Sequence, residues 1–318
     1  MGKDVRRVSI GVPVFNGENY LAEALDSILA QTFSDFELII SDNASTDATQ
    51  EICRGYAAKD QRIRYCRNET NLGAARNFNR VFQLSSGEYF KWSAHDDLIA
   101  PDFLVKCVEV LDKDAAVVLC HSKVKFIGES GEIVADYAIE LHNVSSPRPQ
   151  DRFGDLIMMS HWCFDVFGLI RAGALRKTSL IASHIGSDRN LLVELGLLGR
   201  FYQLPEYLSF SRGHPQQSIR AIPLHSRAVW FDPANEGHLV LPRWQTFLEY
   251  FKPVRRFSSS RYERLCCYVH MCNWVRLYGR GLVKDLIVAA DQILDHGLVS
   301  RGKRLTMPKK RTGEAGGC

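Results

Sequence analysis

The chain has 318 residues, of which 46% are hydrophobic and 24% are charged, and its formal net charge at pH 7 is +4. Such a composition is typical of a globular protein that can bury a sizeable core. Much of the positive charge lies in residues 301–311, which leaves the rest of the chain close to neutral and argues against a dedicated nucleic-acid-binding protein.

The start of the chain and its cysteines bear on the cellular compartment. Residues 1–7 carry charge, but the apolar run that follows is interrupted by Pro13, too early for the core of a signal peptide. No stretch reaches the roughly 20 apolar residues that a membrane span needs. The 9 cysteines are an odd number without metal-type spacing, which indicates free thiols in a reducing compartment. We therefore expect a cytoplasmic protein, which could lie at the inner face of the membrane.

Residues 1–120 alternate strand and helix patterns with short connections, as is typical of an α/β fold with a parallel sheet covered on both faces. The strand predicted at 36–41 is continuously apolar through Leu38, Ile39 and Ile40, as a strand buried on both faces should be. Ser45 or Thr46 can cap the helix that follows. The other strands are predicted at 8–15, 62–66, 88–92 and 116–121, and the other helices at 18–30, 74–84 and 101–111.

The pattern loosens after residue 123. A hairpin is predicted around 128–131, and the polar stretch at 143–150 predicts a mobile loop. Helices are predicted at 151–160, 172–178 and 188–198, and the chain from residue 223 on is expected to be mostly helical. These last helices either pack on the rest of the chain or attach weakly to an anionic membrane surface, and the sequence leaves both open.

Polar loops follow the first, second and fourth predicted strands. They carry Asn16, then Asp42, then the pair Asp96 and Asp97. Because the carboxyl ends of parallel strands meet at one edge of a sheet, we expect these loops to converge. Neighbouring carboxylates repel each other unless a proton or a cation intervenes, and a divalent ion bridging to phosphate would relieve the repulsion. The plainer alternatives are a solvated turn for the pair and an Asx turn or helix cap for Asp42.

Several motifs occur in order over residues 8–102. They are Val12-Pro13-Val14-Phe15-Asn16-Gly17, Ser27-Ile28-Leu29-Ala30-Gln31-Thr32, Phe36 to Asp42 with Ser45, Thr46, Asp47 and Thr49, Asn71-Leu72-Gly73 with Asn77, and Asp96-Asp97 with Pro101. Together they resemble the nucleotide-binding half of the family 2 glycosyltransferases, which have the GT-A fold, a Rossmann-like, mostly parallel sheet flanked by helices.

The resemblance implies roles for the loop residues. It implies a divalent cation, manganese or magnesium, that bridges the two phosphates of the donor, with Asp97 as the main metal ligand. The family often has a further aspartate two residues before the pair, where this chain has Ala94. The contacts to the nucleotide, commonly uridine, would come from Pro13, Val14, Phe15, Asn16, Asp42, Asn71 and Asp96.

Candidate residues in the second half are fewer. Asp188 begins an apolar helix and resembles the family's general base, although a carboxylate there also stabilises a helix N-terminus. His214 could bind the metal, with Arg212 balancing phosphate charge, or it could be an ordinary hydrogen-bonded loop residue. Trp162 lies in an apolar run, so it either packs in the core or stacks on a sugar ring.

The resemblance also implies a domain plan. A GT-A catalytic domain is expected over 1–222, with the nucleotide-sugar-binding half at 8–122 and the acceptor and catalytic-base half at 123–222. A C-terminal helical region at 223–300 and a flexible basic tail at 301–318 would follow.

The predicted function is that of an inverting, hexosyltransferase-like enzyme. It would move a sugar from a nucleotide-sugar, a UDP-sugar in the first instance, to a saccharide or lipid-linked acceptor in cell-surface polysaccharide or glycolipid assembly. A nucleotidyltransferase is disfavoured because no glycine-rich, lysine-bearing phosphate loop follows the first strand, and a dinucleotide-binding fold because residues 14–20 contain only Gly17. A nucleotide-sugar-binding protein without transferase activity stays open, as does a homodimer.

Overall fold

The computed structural model describes residues 6–223 and 226–305. Within them, nine strands form one mixed sheet in the order β3-β2-β1-β4-β8-β6-β9-β5, with β7 paired to β6. The strands are β1 (Val8–Val14), β2 (Phe36–Asp42), β3 (Ile63–Arg67), β4 (Tyr89–Trp92), β5 (Leu98–Ile99), β6 (Val117–Ile127), β7 (Ile133–Asp136), β8 (Leu169–Arg171) and β9 (Arg200–Arg212).

Helices connect these strands and continue beyond the sheet. Short 3-10 turns occur at Phe164–Phe167 and Pro233–Asn235. The α-helices are α1 (Leu21–Leu29), α2 (Thr49–Lys59), α3 (Ala74–Gln83), α4 (Phe103–Lys113), α5 (Pro149–Met158), α6 (Ala172–Leu175), α7 (Ser187–Leu198), α8 (Ser218–Ala221), α9 (Arg227–Phe231), α10 (Pro242–Glu249), α11 (Phe251–Phe257) and α12 (Arg261–Leu305).

Two apolar cores lie on opposite faces of the sheet. Leu38 and Ile40 belong to the core covered by α1 and α4, whereas Ile39 points into the core covered by α3, α5, α7 and α12. This alternation explains the continuous apolar run of β2. Gly11 allows α3 to lie close to β1, because a Cβ atom there would be 2.5 Å from Cγ2 of Val81.

The predicted elements of residues 1–120 are all present, with ends shifted by a few residues. β1, β2, β3 and β4 pair in parallel, as expected, but β8 pairs antiparallel with β4 and β6, so the sheet is mixed. The fifth predicted strand, at 116–121, corresponds to β6, which extends to Ile127 and forms the predicted hairpin with β7. Its long parallel pairing with β9 brings the chain back to the edge where the acidic pair lies.

The region after residue 223 is mostly helical, as predicted. The Tyr278 hydroxyl of α12 donates to the Met158 carbonyl at 2.8 Å, and the Asn190 side chain of α7 donates to the Thr246 carbonyl at 3.2 Å, so these helices pack on the part of the chain that contains α5 and α7. α12 continues to Leu305, past the predicted boundary at 300, and residues 306–318 of the predicted tail lie outside the described residues. Among the described residues, no helix combines the length and apolar character needed to cross a bilayer.

Candidate functional site

The loops after β1 and β2 interlock at one edge of the sheet. Val14 pairs with Asp42 in the parallel register, which places the two strand ends side by side. The Asn16 backbone N–H then donates to Oγ of Ser45 at 2.9 Å, and the Thr46 N–H donates to Oδ1 of Asn16 at 2.9 Å. Asn16 has φ 51°, a left-handed conformation that asparagine tolerates. Pro13 and Val14 are therefore buried in the strand, whereas Phe15 and Asn16 are exposed beyond it.

The cap predicted for α2 is wrong. The helix begins at Thr49, whose N–H donates to Oδ1 of Asp47 at 3.1 Å. Ser45 accepts from Asn16 instead, so its hydroxyl serves the contact between the two loops.

Asp42 is fully buried at the end of β2. Its carboxylate accepts from the Ser45 N–H at 2.8 Å, the Tyr65 hydroxyl at 2.9 Å and Nη1 of Arg67. Burial, reinforced by the charge of Asp42, raises the pKa of Tyr65 to about 12. Most of the hydrogen-bonding capacity of Asp42 is thus used within the protein, and the partly exposed Arg67 guanidinium lies between this carboxylate and solvent.

Asn71 is tied to the same edge. Its Oδ1 atom accepts from Nδ2 of Asn43 at 2.7 Å and from the Gly73 N–H at 2.8 Å. Asn43 follows Asp42 directly, and Gly73 precedes α3. The structure therefore brings Asn16, Asp42 and Asn71 together through hydrogen bonds, as the resemblance implied.

Asp96 and Asp97 have different partners. Oδ2 of Asp96 lies 2.9 Å from Nε2 of the buried His214, whereas Oδ1 of Asp97 accepts from the Arg212 backbone N–H at 2.9 Å. Burial, and secondarily the charge of Asp96, raises the pKa of Asp97 to about 7. Burial acts against ionisation of Asp96 as well, but the His214 hydrogen bond and the charge of His95 hold its pKa below the usual value.

Arg212 is fully buried and fixes this arrangement. Nε donates to the Asp96 carbonyl at 3.0 Å, Nη1 to the Glu129 carbonyl at 2.7 Å and Nη2 to Oε2 of Glu23 at 2.6 Å. Its guanidinium carbon lies 4.9 Å from the centroid of the Tyr20 ring. The guanidinium is therefore used to join the acidic pair to α1 and the hairpin, and the suggestion that it balances phosphate charge is not supported.

Arg212→Met is expected to lower the free energy of unfolding by about 3 kcal/mol, because several buried carbonyl oxygens and Glu23 lose their donor. Arg200→Met at the other end of β9 is the matched control. Arg200 pairs with Asp114 at 2.5 Å, but both side chains are about a third exposed, so a loss below about 1 kcal/mol is expected. Equal losses for the two variants in urea denaturation would contradict the role of Arg212.

A divalent cation at Asp96 and His214 would have to replace a hydrogen bond. Oδ2 of Asp96 and Nε2 of His214 are 2.9 Å apart because they are hydrogen-bonded to each other, so the two atoms could hold a cation only after their shared proton leaves. A carboxylate and a neutral imidazole are both ligands that manganese accepts. Within the described residues, no group of three His, Cys, Asp or Glu side chains forms a complete protein site. The remaining ligands would have to be phosphate oxygens and water, which is usual for magnesium and related ions.

Asp188 lies in the first turn of α7, after Gly186 with φ 81°. It borders a cavity of about 660 Å³ between α3, α7 and the C-terminal helices. Burial raises the pKa of Asp188, and the adjacent Arg189 directs its guanidinium to backbone carbonyls. The aromatic part of the cavity wall comprises Phe78, Trp162, Phe167, Trp230, Phe231, Tyr250, Trp274 and Tyr278.

Trp162 is 49% exposed, so the alternative that it packs in the core is wrong. It stacks on Phe164, with 5.9 Å between ring centroids and 26° between ring planes. Cys163, the next residue, has φ 58° and is buried, so the chain turns the indole outward while its neighbour faces the core. Contact with a sugar stays a prediction.

Lys91 is a buried residue that the sequence reasoning missed. Its ammonium group donates to the Trp92 carbonyl at 3.2 Å and to the Phe167 carbonyl. Burial lowers the pKa of Lys91 to about 8, although the negative charge of Asp97 acts the other way. Lys91, Asp97 and Phe167 line a small cavity, and Phe167 also borders the large cavity with Asp188. A lysine inside the apolar run of β4 was the available signal.

Known proteins resemble this chain in sequence. A profile described as "Glycosyl transferase family 2" matches residues 9–178. An uncharacterized glycosyltransferase of Rickettsia typhi is 41% identical over 106 residues, 33% of this chain and 32% of that protein. Glycosyltransferase GlyG of Streptococcus pneumoniae is 34% identical over 113 residues, 35% of this chain and 38% of that protein. The match spans about a third of the length of these relatives.

Solved structures resemble the fold. TarS of S. aureus in complex with UDP-GlcNAc has a TM-score of 0.64 at 16% identity, covering 85% of this chain and 72% of that one. Mannosyltransferase PcManGT of Pyrobaculum calidifontis, in complex with GDP-Man and Mn²⁺, has a TM-score of 0.53 at 18% identity, covering 96% and 82%. The predicted GT-A fold is thereby confirmed. The family profile matches more than half of the residues of this chain, so the chain belongs to glycosyl transferase family 2.

Proposed function

We propose that this protein is an inverting glycosyltransferase that moves a sugar from a nucleotide-sugar to an acceptor hydroxyl. One observation carries the proposal: Phe167 lines both a small cavity beside Asp97 and the large cavity that Asp188 borders, and burial raises the pKa of Asp188. A donor whose diphosphate lay at Asp96 and Asp97 would present its sugar towards Asp188. In such an arrangement a departing group and an acceptor lie on opposite sides of the reacting carbon.

The donor would lie on the interlocked loops after β1 and β2. Phe15 and Asn16 are exposed there, so they can contact a base or ribose, while Pro13 and Val14 hold the backbone of the loop in place. Asp42 would act by fixing Tyr65 and Arg67, and Asn71 by bracing the start of α3. A UDP-sugar is the first choice of donor; TarS was solved with UDP-GlcNAc, whereas PcManGT was solved with GDP-Man.

A divalent cation, Mn²⁺ or Mg²⁺, would be held by the acidic pair and His214. Asp96 and His214 would each offer one ligand atom once the proton of their hydrogen bond leaves, and Asp97 would offer the oxygen that does not accept from the Arg212 N–H. When bound, such a cation offsets the negative charge that develops on a departing diphosphate. The protein positions these side chains through Arg212, which holds the Asp96 backbone from the opposite side.

Asp188 would act as the general base. Its carboxylate takes the proton of the acceptor hydroxyl as the oxygen forms a bond to the anomeric carbon, and the bond from that carbon to the phosphate oxygen breaks with its electrons leaving on the diphosphate. Displacement from the opposite face inverts the anomeric configuration. The aromatic walls of the cavity suit a sugar ring or the apolar part of a lipid-linked acceptor, and Trp162 and Trp230 are the aromatic side chains most open to solvent there.

The rate of transfer is expected to rise with pH through the pKa of Asp188, because only the ionised carboxylate can accept a proton. Since burial raises that pKa, the midpoint of the acid limb should lie above the ordinary range of aspartate. The measurement is the release of nucleoside diphosphate at saturating donor, with donor affinity determined at each pH to separate binding from chemistry. An acid limb at ordinary aspartate values, with donor affinity constant, would argue against Asp188 as the base.

A further inference from the structure

The outward face of α12 is apolar along much of its length. Tyr262, Leu265 and Val269 are 69%, 61% and 52% exposed, and Val283 and Ile287 are each 56% exposed. Steps of three and four residues place Tyr262, Leu265 and Val269 on one side of the helix, and Val283 and Ile287 lie on the same side about four turns further on. Arg276 and Arg280 lie on this side between the two apolar groups. Large apolar side chains that share one exposed helix face are unusual for a soluble monomer and mark a surface that binds something else.

The opposite face of the same helix fixes its orientation. Met271, Trp274 and Leu282 are buried in the core shared with α5 and α7. Asp285 is buried and pairs with Arg243 of α10 at 2.5 Å. The exposed face is therefore held outward by packing on the other side of α12.

Over residues 261–290, where the structure describes the side chains, the exposed charges on this helix all have one sign. Over residues 261–290, Glu263 is half-buried and accepts from the Ser259 N–H at 2.7 Å, and Asp285 is buried, so neither carboxylate is presented with the apolar face. The exposed charged side chains are Arg261, Arg264, Arg276, Arg280 and Lys284.

We propose that this face of α12, residues 261–287, binds the surface of an anionic lipid bilayer with the helix lying in the plane of the interface. Apolar side chains of an interfacial helix enter the headgroup boundary, and each nearby arginine or lysine adds attraction to anionic lipid. The long stems of Arg276 and Arg280 allow their charged groups to reach the headgroups while the apolar residues on either side of them along the helix are buried. A second copy fits the same face less well, because pairing two such helices would bring cations against cations.

The inner face of α12 connects this surface to the candidate site. Trp274 and Tyr278 line the cavity that Asp188 borders. Binding of α12 to a bilayer would therefore hold the cavity close to the lipid surface, where a lipid-linked acceptor would be found. The binding itself does not depend on the proposed transfer, so its test stands independently of any enzymatic assay.

The test is co-sedimentation of the full chain with vesicles of phosphatidylcholine containing 0 or about 30% phosphatidylglycerol. We expect binding to the anionic vesicles that weakens with salt, and at least about tenfold weaker partitioning for Arg276→Glu/Arg280→Glu. Leu265→Gln/Val283→Gln should also weaken it. Arg54→Glu/Lys59→Glu on α2 is the control, since both side chains are exposed. It changes the net charge by the same amount as Arg276→Glu/Arg280→Glu and should bind anionic vesicles like the unaltered protein.

Thermal unfolding of each variant establishes that it is folded. Three outcomes would overturn the proposal: absence of binding to anionic vesicles, equal loss for the α2 variant, or a dimer in solution that Leu265→Gln/Val283→Gln dissociates while vesicles bind none of the proteins. The last outcome would assign the face to a second copy of the chain.

Discussion

Asp188→Asn is expected to reduce the rate constant for sugar transfer about a thousandfold while donor affinity changes less than about threefold. Removal of a general base typically costs between about a hundredfold and ten-thousandfold, and Asp188 is the carboxylate that lines the large cavity. The amide preserves the size of the side chain and can still occupy the first turn of α7. The measurement is kcat at saturating donor, with the dissociation constant for the donor obtained by calorimetry.

Glu194→Gln is the matched control for that variant. Glu194 is a second carboxylate on α7 whose pKa is raised by burial, and it accepts from the Ser179 N–H at 2.7 Å, away from the residues that line the cavity. We expect its transfer rate to stay within a few-fold of the unaltered protein. If the two variants lost activity equally, the effect would come from disturbing α7, and the assignment of Asp188 would be wrong.

Asp96→Asn and His214→Ala are each expected to weaken Mn²⁺ binding in the presence of nucleoside diphosphate by about a hundredfold or more. Loss of a residue that only supports a metal ligand already costs about 10 to 100-fold, and we propose these two as ligands. A smaller loss is expected for Asp97→Asn, because one of its oxygens is held by the Arg212 N–H. Removal of the cation by a chelator should abolish transfer. Titration of Mn²⁺ followed by electron paramagnetic resonance measures these affinities.

A second buried carboxylate and histidine pair provides the control. Oδ1 of Asp165 lies 3.0 Å from Nδ1 of His121, nearly the same separation as in the Asp96 and His214 pair. Asp165→Asn removes a carboxylate from a similar environment and should leave Mn²⁺ affinity unchanged. Equal Mn²⁺ affinity in the Asp96, His214, Asp97 and Asp165 variants would contradict the proposed metal site. A larger loss of affinity for Asp97→Asn than for Asp96→Asn would make Asp97 the main ligand.

The nucleotide-binding half could be predicted from the sequence because its signals are local. β1 and β2 are buried on both faces, so they are continuous apolar runs, and their polar loops follow directly. Parallel pairing then forces Asn16 and Asp42 to one edge. The signal for the start of α7, at Gly186 and Ser187, was also local, so the sequence placed Asp188 in the first turn of the helix.

Contacts across long sequence separations could not be predicted. His214 meets Asp96 because β9 pairs with β5, the strand directly after Asp97, and also with β6, and no local pattern encodes those pairings. Arg212 looked like a phosphate contact by its charge, but its position at the end of the same strand buries it against carbonyl groups. The outward turn of Trp162 depends on the positive φ of Cys163, a conformation that no glycine or asparagine marks in the sequence.

The configuration of the sugar in the first product distinguishes inversion from retention at this site. The protein is incubated with Mn²⁺ and a UDP-sugar of α configuration, and proton nuclear magnetic resonance follows the anomeric signal of the transferred or hydrolysed sugar before it equilibrates. We expect the β-anomer to form first, in step with release of UDP. Asp188→Asn should slow formation of the β-anomer and release of UDP together. Initial formation of the α-anomer, or no diphosphate release from any UDP- or GDP-sugar, would contradict direct displacement at this site.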